Sequence, residues 1–227
     1  MSSPAVGGPL GLLGGTFDPI HNGHLRLAEE ACDALGLERV RLIPAGQPPH
    51  RGEPGSAADN RLAMVQLAIA GNPHLEIDDG EVRAQRKSYT ILTLERLRSE
   101  LGPDRPLVLI LGADAFLGLA QWQRWQELFA LTHIAVANRP GYAPHGRRWP
   151  GALSPELDEA CRDRQVTDPA LLRDRSAGLV IPFDMTPLAI SASLIRDLVR
   201  SGTSPRYLLP DSVLDYIALH HLYENHE

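Results

Sequence analysis

The sequence contains little cysteine, almost no lysine and no apolar run long enough to cross a membrane. The only two cysteines, Cys32 and Cys161, form neither a Cys-x-x-Cys pair nor a zinc-ligand spacing, which argues against a disulfide framework or a structural zinc site. Low cysteine use without a secretory segment predicts a cytoplasmic protein. Lys87 is the only lysine, and the formal net charge is −6. This acidic balance argues against nucleic acid or an anionic membrane as a partner.

The length and the apolar content indicate one α/β domain. The 227 residues suffice for a single well-buried core, and no linker divides the chain into two. We expect a disordered N-terminal tail over residues 1–9 and a single domain over residues 10–227. Its C-terminal part, from about residue 190 onward, is expected to be helical. The oligomeric state stays open.

Short apolar runs alternate with longer amphipathic stretches, which predicts a Rossmann-like, doubly wound parallel sheet. Near-continuous apolar strands are typical of a sheet covered on both faces. The predicted strands are 10–13, 40–43, 74–77, 107–111, 134–137 and 179–183. The predicted helices are 24–35, 60–70, 90–101, 113–120, 125–131, 191–201 and 212–222.

Two long irregular stretches interrupt this alternation, and long loops in compact domains are usually functional or mobile. Residues 44–58 follow the second predicted strand, at the edge where such sheets bind ligands. Residues 139–174 are polar and rich in proline, glycine and arginine. Short helices are predicted there near 155–164 and 169–173.

The most specific segment is GGTFDPIHNGH at residues 14–24, between an apolar run and a helical stretch. Strand, glycine-rich turn and helix is the arrangement that presents backbone N–H groups and a helix N-terminus to a phosphate. Gly14 and Gly15 would permit a sharp turn and close approach of a ligand, and Gly23 would leave space for phosphates. The absence of a following lysine excludes a Walker loop, and the spacing excludes the dinucleotide fingerprint.

Two histidines end this segment. His21 and His24 lie three residues apart, so they are expected to share one face where the helix begins. The plainer alternative is a strand-to-helix turn with two histidines that are satisfied internally.

A second segment, ISASLIR at residues 190–196, places hydroxyl groups at a predicted helix start. Exposed N–H groups there can hold phosphate oxygens, and Ser191 can cap the helix. Helical side chains lean toward the N-terminus, so Arg196 can reach back over the first turn. The alternative is a serine cap followed by a surface arginine.

The third segment is Gly-Ala-Asp at residues 112–114, at the end of an apolar strand. An acidic residue at such a strand end commonly accepts ribose hydroxyls, although Asp114 could also cap a helix. The first and fourth predicted strands flank the switch point of a Rossmann-type sheet, so the segments that follow them should converge.

The first segment resembles the signature of the HxGH nucleotidylyltransferases, which are similar to class I aminoacyl-tRNA synthetases. The second resembles their ISxTxxR motif, with Ser193 in place of the usual threonine. The ATP-binding residues that the resemblance implies are Gly14, Gly15, Thr16, Phe17, His21, Gly23, His24, Gly112, Asp114, Ile190, Ser191, Ser193 and Arg196. Among them, it implies that His21, His24 and Arg196 are catalytic.

Four further segments resemble one branch of these enzymes, the bacterial nicotinate-nucleotide adenylyltransferases. They are PPHR at 48–51, SYT at 88–90, Trp122 and NRPG at 138–141. The nicotinate-mononucleotide-binding residues that the resemblance implies are Thr16, His50, Arg51, Tyr89, Thr90, Trp122 and Arg139.

The resemblance also implies how these residues act on the mononucleotide. The backbone N–H groups of Tyr89 and Thr90 would bind the nicotinate carboxylate, and Trp122 would stack on the pyridine ring. His50 and Arg139 would hold the phosphate. The alternatives are a core tryptophan, a turn arginine and a simple helix cap. Ala45 stands where many members carry asparagine, which puts one polar contact in doubt.

The implied reaction transfers AMP from ATP to nicotinate mononucleotide, releasing pyrophosphate and forming deamido-NAD. Mg²⁺ is expected to arrive with ATP, and no metal-ligand cluster is predicted in the protein. Two alternatives stay open. The acceptor could be nicotinamide mononucleotide or pantetheine phosphate, or the chain could be a regulator that binds a nucleotide without turnover.

Overall fold

The computed structural model describes residues 7–48, 54–84, 86–138 and 153–224. They contain a six-stranded sheet of order β3-β2-β1-β4-β5-β6, in which every neighbouring pair is parallel. The strands are β1 (Leu10–Gly15), β2 (Arg39–Pro44), β3 (Leu75–Ile77), β4 (Leu107–Gly112), β5 (His133–Asn138) and β6 (Val180–Asp184). All six predicted strands are confirmed to within two residues at either end. Most are short apolar runs, whereas Arg41 interrupts β2 and Glu76 interrupts β3.

Helices connect the strands in the described residues. They are α1 (Asn22–Leu35), α2 (Ala58–Ile69), α3 (Gly80–Arg83), α4 (Thr90–Leu101), α5 (Ala113–Leu117), α6 (Leu128–Leu131), α7 (Pro155–Cys161), α8 (Ala192–Arg200) and α9 (Asp211–Leu219). Short 3₁₀ turns cover Leu119–Gln121, Trp125–Glu127 and Pro169–Arg173. None of these helices is long and apolar enough to cross a membrane.

Three helical predictions need correction. The helices predicted over 113–120 and 125–131 each divide into a short α-helix and a 3₁₀ turn. The helix predicted near 169–173 is a 3₁₀ turn. The short α3 was not predicted, because four residues are too few to show a helical apolar period.

The sheet has a hydrophobic core on each face, as expected for a doubly wound fold. Successive strand residues alternate between the two cores. On one face Val40, Leu42, Val108, Ile110 and Ala135 pack with buried residues of α1, α2, α8 and α9. On the other face Leu12, Leu107, Leu109, Ile134 and Val136 pack with buried residues of α4, α5, α6 and α7.

The strand order reverses between β1 and β4. From β1 the chain proceeds outward to β2 and β3, and it then returns to β4 beside β1. Ligands of open parallel sheets bind outside the carboxyl ends of the strands at such a reversal. The sequence segments that follow β1 and β4 therefore face one crevice, as predicted.

Candidate functional site

β1 continues through both of the glycines that were predicted to form a turn. Gly14 and Gly15 are its last two residues, and the positive φ of this segment, 49°, belongs to Phe17. A Cβ added at Gly14 would meet no atom within 4 Å, whereas one at Gly15 would lie 2.8 Å from the Phe17 ring. Gly14 thus leaves open space at the strand end, and Gly15 makes room for a buried aromatic ring.

Phe17 and the two histidines form one aromatic cluster. The rings of His21 and His24 stack, with centroids 3.7 Å apart and planes 21° apart, as expected for residues that share a face. The Phe17 ring contacts His24 edge-on, with centroids 5.0 Å apart. Because Phe17 is only 2% exposed, any contact that it makes with a ligand must come from its backbone.

His21 is buried at the N-terminus of α1. Its carbonyl oxygen accepts the His24 N–H over 2.9 Å, which begins the helix. Burial lowers the pKa of His21 to about 4, so the ring is neutral at pH 7. Its Nδ1 atom is buried and has no hydrogen-bond partner in the described part of the chain. A Cβ on Gly23 would lie 3.1 Å from two atoms of this ring, so Gly23 makes room for the His21 side chain.

The start of α8 lies against the start of α1. Ser191 caps α8 as predicted, since its Oγ accepts the N–H of Leu194 over 3.1 Å. A Cβ added at Gly23 would lie 3.9 Å from the Cβ of Ile190, just before this cap. Two helix N-termini, each a site of positive potential, therefore meet beside the end of β1.

Arg196 reaches back over the first turn of α8, which confirms that prediction. Its Nη2 atom donates to Ser193 Oγ over 3.3 Å, and its Nη1 atom donates to the backbone oxygen of Asp18 over 2.7 Å. The same Nη1 atom lies 3.6 Å from the Asp18 carboxylate. The guanidinium is thus fixed beside the loop between β1 and α1.

Asp18 joins that loop to two distant parts of the chain. Its carboxylate accepts the Gly55 N–H over 2.7 Å, the Ser56 hydroxyl over 3.1 Å and the Tyr223 hydroxyl over 2.8 Å. Asp18 is 5% exposed, and burial raises the pKa of the Tyr223 hydroxyl well above its usual range. The sequence does not predict this role of Asp18, because no local pattern reveals partners 37 to 205 residues away.

The end of β4 is also open. A Cβ added at Gly112 would meet no atom within 4 Å. Gly112 itself precedes the first residue of α5, and no side-chain cap is formed there. The suggestion that Asp114 caps a helix is therefore wrong, because it lies within the first turn. Its exposed carboxylate stands next to the open strand end.

On the other side of the crevice, Ser88 fixes the loop that follows β2. Its hydroxyl accepts the N–H groups of Gly46 over 2.9 Å and Gln47 over 3.2 Å, and its own N–H donates to the Gln47 oxygen. α4 begins two residues later, at Thr90, and Tyr89 precedes it in an extended conformation without a side-chain cap. No side chain among the described residues therefore caps the first N–H groups of α4.

The structure describes only some of the remaining residues that were predicted to bind the mononucleotide. Trp122 is half-buried and packs against the core on the sheet face covered by α4 to α7. The alternative that Trp122 is a core residue is therefore partly right. His50, Arg51 and Arg139 lie outside the described residues. Within the described ranges, no group of three or more His, Cys, Asp or Glu side chains could hold a metal ion.

A buried arginine, Arg61, also lies at the carboxyl edge of the sheet and was not predicted from the sequence. It is 1% exposed on α2 and donates to the backbone oxygens of Thr16 and Ala45. Helical spacing offered a signal, because Arg61 precedes the core residues Met64 and Val65 by three and four positions. An arginine on the apolar face of a helix must find internal partners.

The chain matches the cytidylyltransferase-like family over residues 12–198. A probable nicotinate-nucleotide adenylyltransferase of Dechloromonas aromatica is 56% identical over 217 residues, covering 96% of this chain and 98% of that protein. Another, of Aeromonas salmonicida, is 47% identical and covers 95% of this chain and 97% of its own length.

The fold is similar to that of Plasmodium falciparum nicotinic acid mononucleotide adenylyltransferase complexed with NaAD. The TM-score is 0.70 at 14% sequence identity, and the alignment covers 96% of this chain and 98% of that chain. At so low an identity, this likeness supports the architecture alone.

Proposed function

This chain belongs to the nicotinate-nucleotide adenylyltransferase family, within the cytidylyltransferase-like proteins, and we propose that it transfers the adenylyl group of ATP to nicotinate mononucleotide. The products are deamido-NAD and pyrophosphate. The observation that carries the proposal is the meeting of the α1 and α8 starts beside β1, with the His21–His24 stack on one and Arg196 on the other. The roles of the individual residues are likewise our proposal.

The open strand ends are the place we assign to ATP. The space beside Gly14 suits the phosphates, and the Gly112 edge with the Asp114 carboxylate suits the ribose hydroxyls. The hydroxyls of Ser191 and Ser193 stand at the α8 start, where backbone N–H groups favour phosphate oxygens. Thr16 lies between this ATP site and the acceptor side.

The reaction needs no general base. The acceptor phosphate has a second pKa of about 6 and is largely dianionic at neutral pH. One of its oxygens attacks the α-phosphorus of ATP, the bond from that phosphorus to the bridging oxygen breaks, and the electron pair leaves with pyrophosphate. Catalysis then rests on positioning and on donors that face developing negative charge.

His21, His24 and Arg196 are the donors we assign to this charge. The lowered pKa of His21, about 4, keeps its imidazole neutral, so it offers an N–H without adding a charge. Arg196 is only partly buried, and its contact with Asp18 fixes the guanidinium beside the phosphate-binding loop. We place it at the leaving pyrophosphate, where a permanent positive charge contributes most.

Mg²⁺ fits this site only as part of the ATP complex. Magnesium ions are usually held by substrate phosphates, water and one or two carboxylates rather than by an all-protein cage. The donors that converge here are imidazole, guanidinium and hydroxyl groups, which suit phosphate oxygens better than a magnesium ion. When bound with ATP, the ion would neutralise part of the phosphate charge.

The acceptor's carboxylate is assigned to the uncapped start of α4, at Tyr89 and Thr90. Trp122 supplies the aromatic face for the pyridine ring. His50 and Arg139 remain proposed phosphate ligands, and Arg51 remains a proposed mononucleotide-binding residue. We place the reaction in the cytoplasm, in keeping with the free thiols of Cys32 and Cys161. With a net charge of −6, we assign the chain no nucleic-acid partner.

A substrate panel tests this function. Purified protein is mixed with ATP, Mg²⁺ and one of three acceptors: nicotinate mononucleotide, nicotinamide mononucleotide or pantetheine phosphate. Pyrophosphate release is followed, and the adenylylated product is identified by mass. We expect the fastest release with nicotinate mononucleotide. Release with pantetheine phosphate alone would reassign the acceptor, and ATP binding without release would indicate a regulatory protein.

A further inference from the structure

The guanidinium group of Arg61 donates hydrogen bonds to backbone oxygens on both sides of the crevice. Nη1 donates to Thr16 over 2.7 Å and to Ala45 over 2.6 Å. Nη2 donates to Gly46 over 3.0 Å, and Nε donates to Ser56 over 3.3 Å. A guanidinium carries N–H groups in a rigid planar fork, so these contacts fix four backbone oxygens relative to one another.

These oxygens belong to two different loops. Thr16 lies in the loop that leads from β1 to the His21–His24 stack, on the ATP side. Ala45 and Gly46 follow β2, and the Gly46 N–H donates to Ser88 Oγ just before α4, on the acceptor side. One guanidinium therefore connects the loop that presents the phosphate donors to the segment assigned to the acceptor.

The loop after β2 has little freedom to compensate if this contact is lost. A Cβ added at Gly46 would lie 2.2 Å from the backbone oxygen of Glu81, so α3 closely covers the loop from the other side. Gly46, Gly55 and Ser56 also line a cavity of about 560 Å³, together with Arg61 and Lys87. The position of this loop sets the shape of that cavity.

We propose that Arg61 is a positioning residue that holds the ATP-side loop and the acceptor-side loop at the separation needed for adenylyl transfer. The inference depends on the proposed function for its kinetic consequence. The attacking oxygen must lie in line with the scissile bond, and a displacement of about 1 Å can cost about 10²-fold in rate. The buried cation acts through the backbone and does not touch the reacting atoms.

Arg98 provides a matched control. It too is an arginine that donates to backbone oxygens, at Leu131 over 2.8 Å, Arg105 over 2.5 Å and Ser176 over 2.7 Å. Burial lowers the pKa of both guanidinium groups. However, the partners of Arg98 lie at the amino ends of β4 and β5, at the opposite edge of the sheet. Arg98→Met should destabilise the fold without altering the crevice.

The test compares Arg61→Met, Arg61→Lys and Arg98→Met with the wild type, at a temperature where circular dichroism shows all four folded. Amide hydrogen exchange is measured first, without substrates. We expect Arg61→Met to exchange faster at Ala45, Gly46 and Ser88, whose amides donate across the crevice edge. Arg98→Met should leave these three amides protected. This readout requires no turnover, so it stands even if the proposed function fails.

Kinetics then test the consequence for transfer. In Arg61→Met we expect kcat to fall about 10²-fold and the acceptor KM to rise, with binding of ATP alone little changed. Arg61→Lys should be intermediate, because an ammonium group cannot span four oxygens. Unchanged exchange at Gly46, or a kcat no lower than that of Arg98→Met, would overturn the proposal. Wild-type protein that transfers to no acceptor would contradict the proposed function instead.

Discussion

Arg196 Nη1 donates to the backbone oxygen of Asp18 over 2.7 Å and joins two segments 178 residues apart in the chain. The Nη2 atom of the same guanidinium donates a hydrogen bond to Ser193 Oγ at the start of α8. Asp18 in turn accepts hydrogen bonds from the loop after β2 and from Tyr223 near the C-terminus. The position of Arg196 over the proposed pyrophosphate site therefore depends on the buried Asp18 carboxylate.

We expect Arg196→Ala to impair the use of ATP more than the use of the acceptor. Loss of one fixed donor to transition-state charge typically costs about 10²–10³ in kcat, and the ATP KM should rise as well. Arg200→Ala is the control, because Arg200 lies one turn later on α8 and pairs with Asp197 at the surface. Steady-state kinetics with each substrate varied in turn measure both variants. An effect confined to the acceptor KM would contradict the placement of Arg196.

We expect His24→Ala to lose about 10²–10³ in kcat while its melting temperature stays close to that of the wild type. His24 is half-buried, and its ring contacts include the stack on His21 and the edge of Phe17, so its removal costs less packing than the removal of a fully buried side chain. His74→Ala is a suitable control, since His74 is an exposed histidine that pairs with Glu29. Near-normal turnover in His24→Ala would remove His24 from the mechanism.

Burial of His21 should make stability depend on pH. Its pKa is about 4 in the folded protein, against a usual 6.5. Between these values the unfolded chain binds a proton that the folded chain does not, so lowering the pH favours unfolding. From pH 7 to pH 5, the free energy of unfolding should fall about 2 kcal/mol more in the wild type than in His21→Asn. Denaturant titrations at both values measure this difference, and equal losses would show that His21 is not the group responsible.

Trp122 and Trp125 form a matched pair for the acceptor site. Trp122 is half-buried, whereas Trp125 is 8% exposed and packs edge-on against Phe129. Stacking on an aromatic side chain contributes about 1–3 kcal/mol, so Trp122→Ala should raise the acceptor KM about 5-fold to 150-fold and spare the ATP KM. Trp125→Ala should lower the melting temperature without that selectivity. If Trp122→Ala behaved like Trp125→Ala, Trp122 would be a core residue only.

The fold was predictable because the relevant signals are local. Strands such as β4 and β5 are unbroken apolar runs, and the serine cap of α8 is a pattern within four residues. The alternation of strands with helical stretches restricts the possible topologies, and the first and fourth strands flank the switch point as predicted. The short α3 was missed, since it has neither an apolar period nor a side-chain cap.

Within the candidate site, individual side-chain contacts were predictable only between residues that lie close together in the chain. His21 and His24 share a helix start, so their stacking followed from spacing. Asp18 and Arg61 were missed because their partners include residues 205 and 45 positions away. When a buried arginine is paired with backbone oxygens, the sequence contains no complementary acidic residue that would indicate the contact. Only the apolar face on which Arg61 lies offered a signal.

The start of α4 should make the enzyme prefer the acid, nicotinate mononucleotide, over the amide. A carboxylate only accepts hydrogen bonds, whereas the amide brings an NH₂ donor that would face the N–H groups of the helix start. Two bonds to a charged group, at about 1.5–3 kcal/mol each and partly offset by desolvation, correspond to a preference on the order of 10²-fold in kcat/KM.

Thr90→Pro tests whether backbone N–H groups carry this preference. Thr90 is the first residue of α4, a position where proline is well tolerated, and Tyr89 before it is extended with φ −110° and ψ 126°. The variant should therefore keep the helix while losing one N–H, and the ratio of kcat/KM for acid over amide should fall. Thr90→Val is the control, because it retains the N–H and should change the ratio little. An equal ratio in both variants and the wild type would place the carboxylate elsewhere. Equal rates for acid and amide in the wild type would mean that this helix start does not discriminate between them.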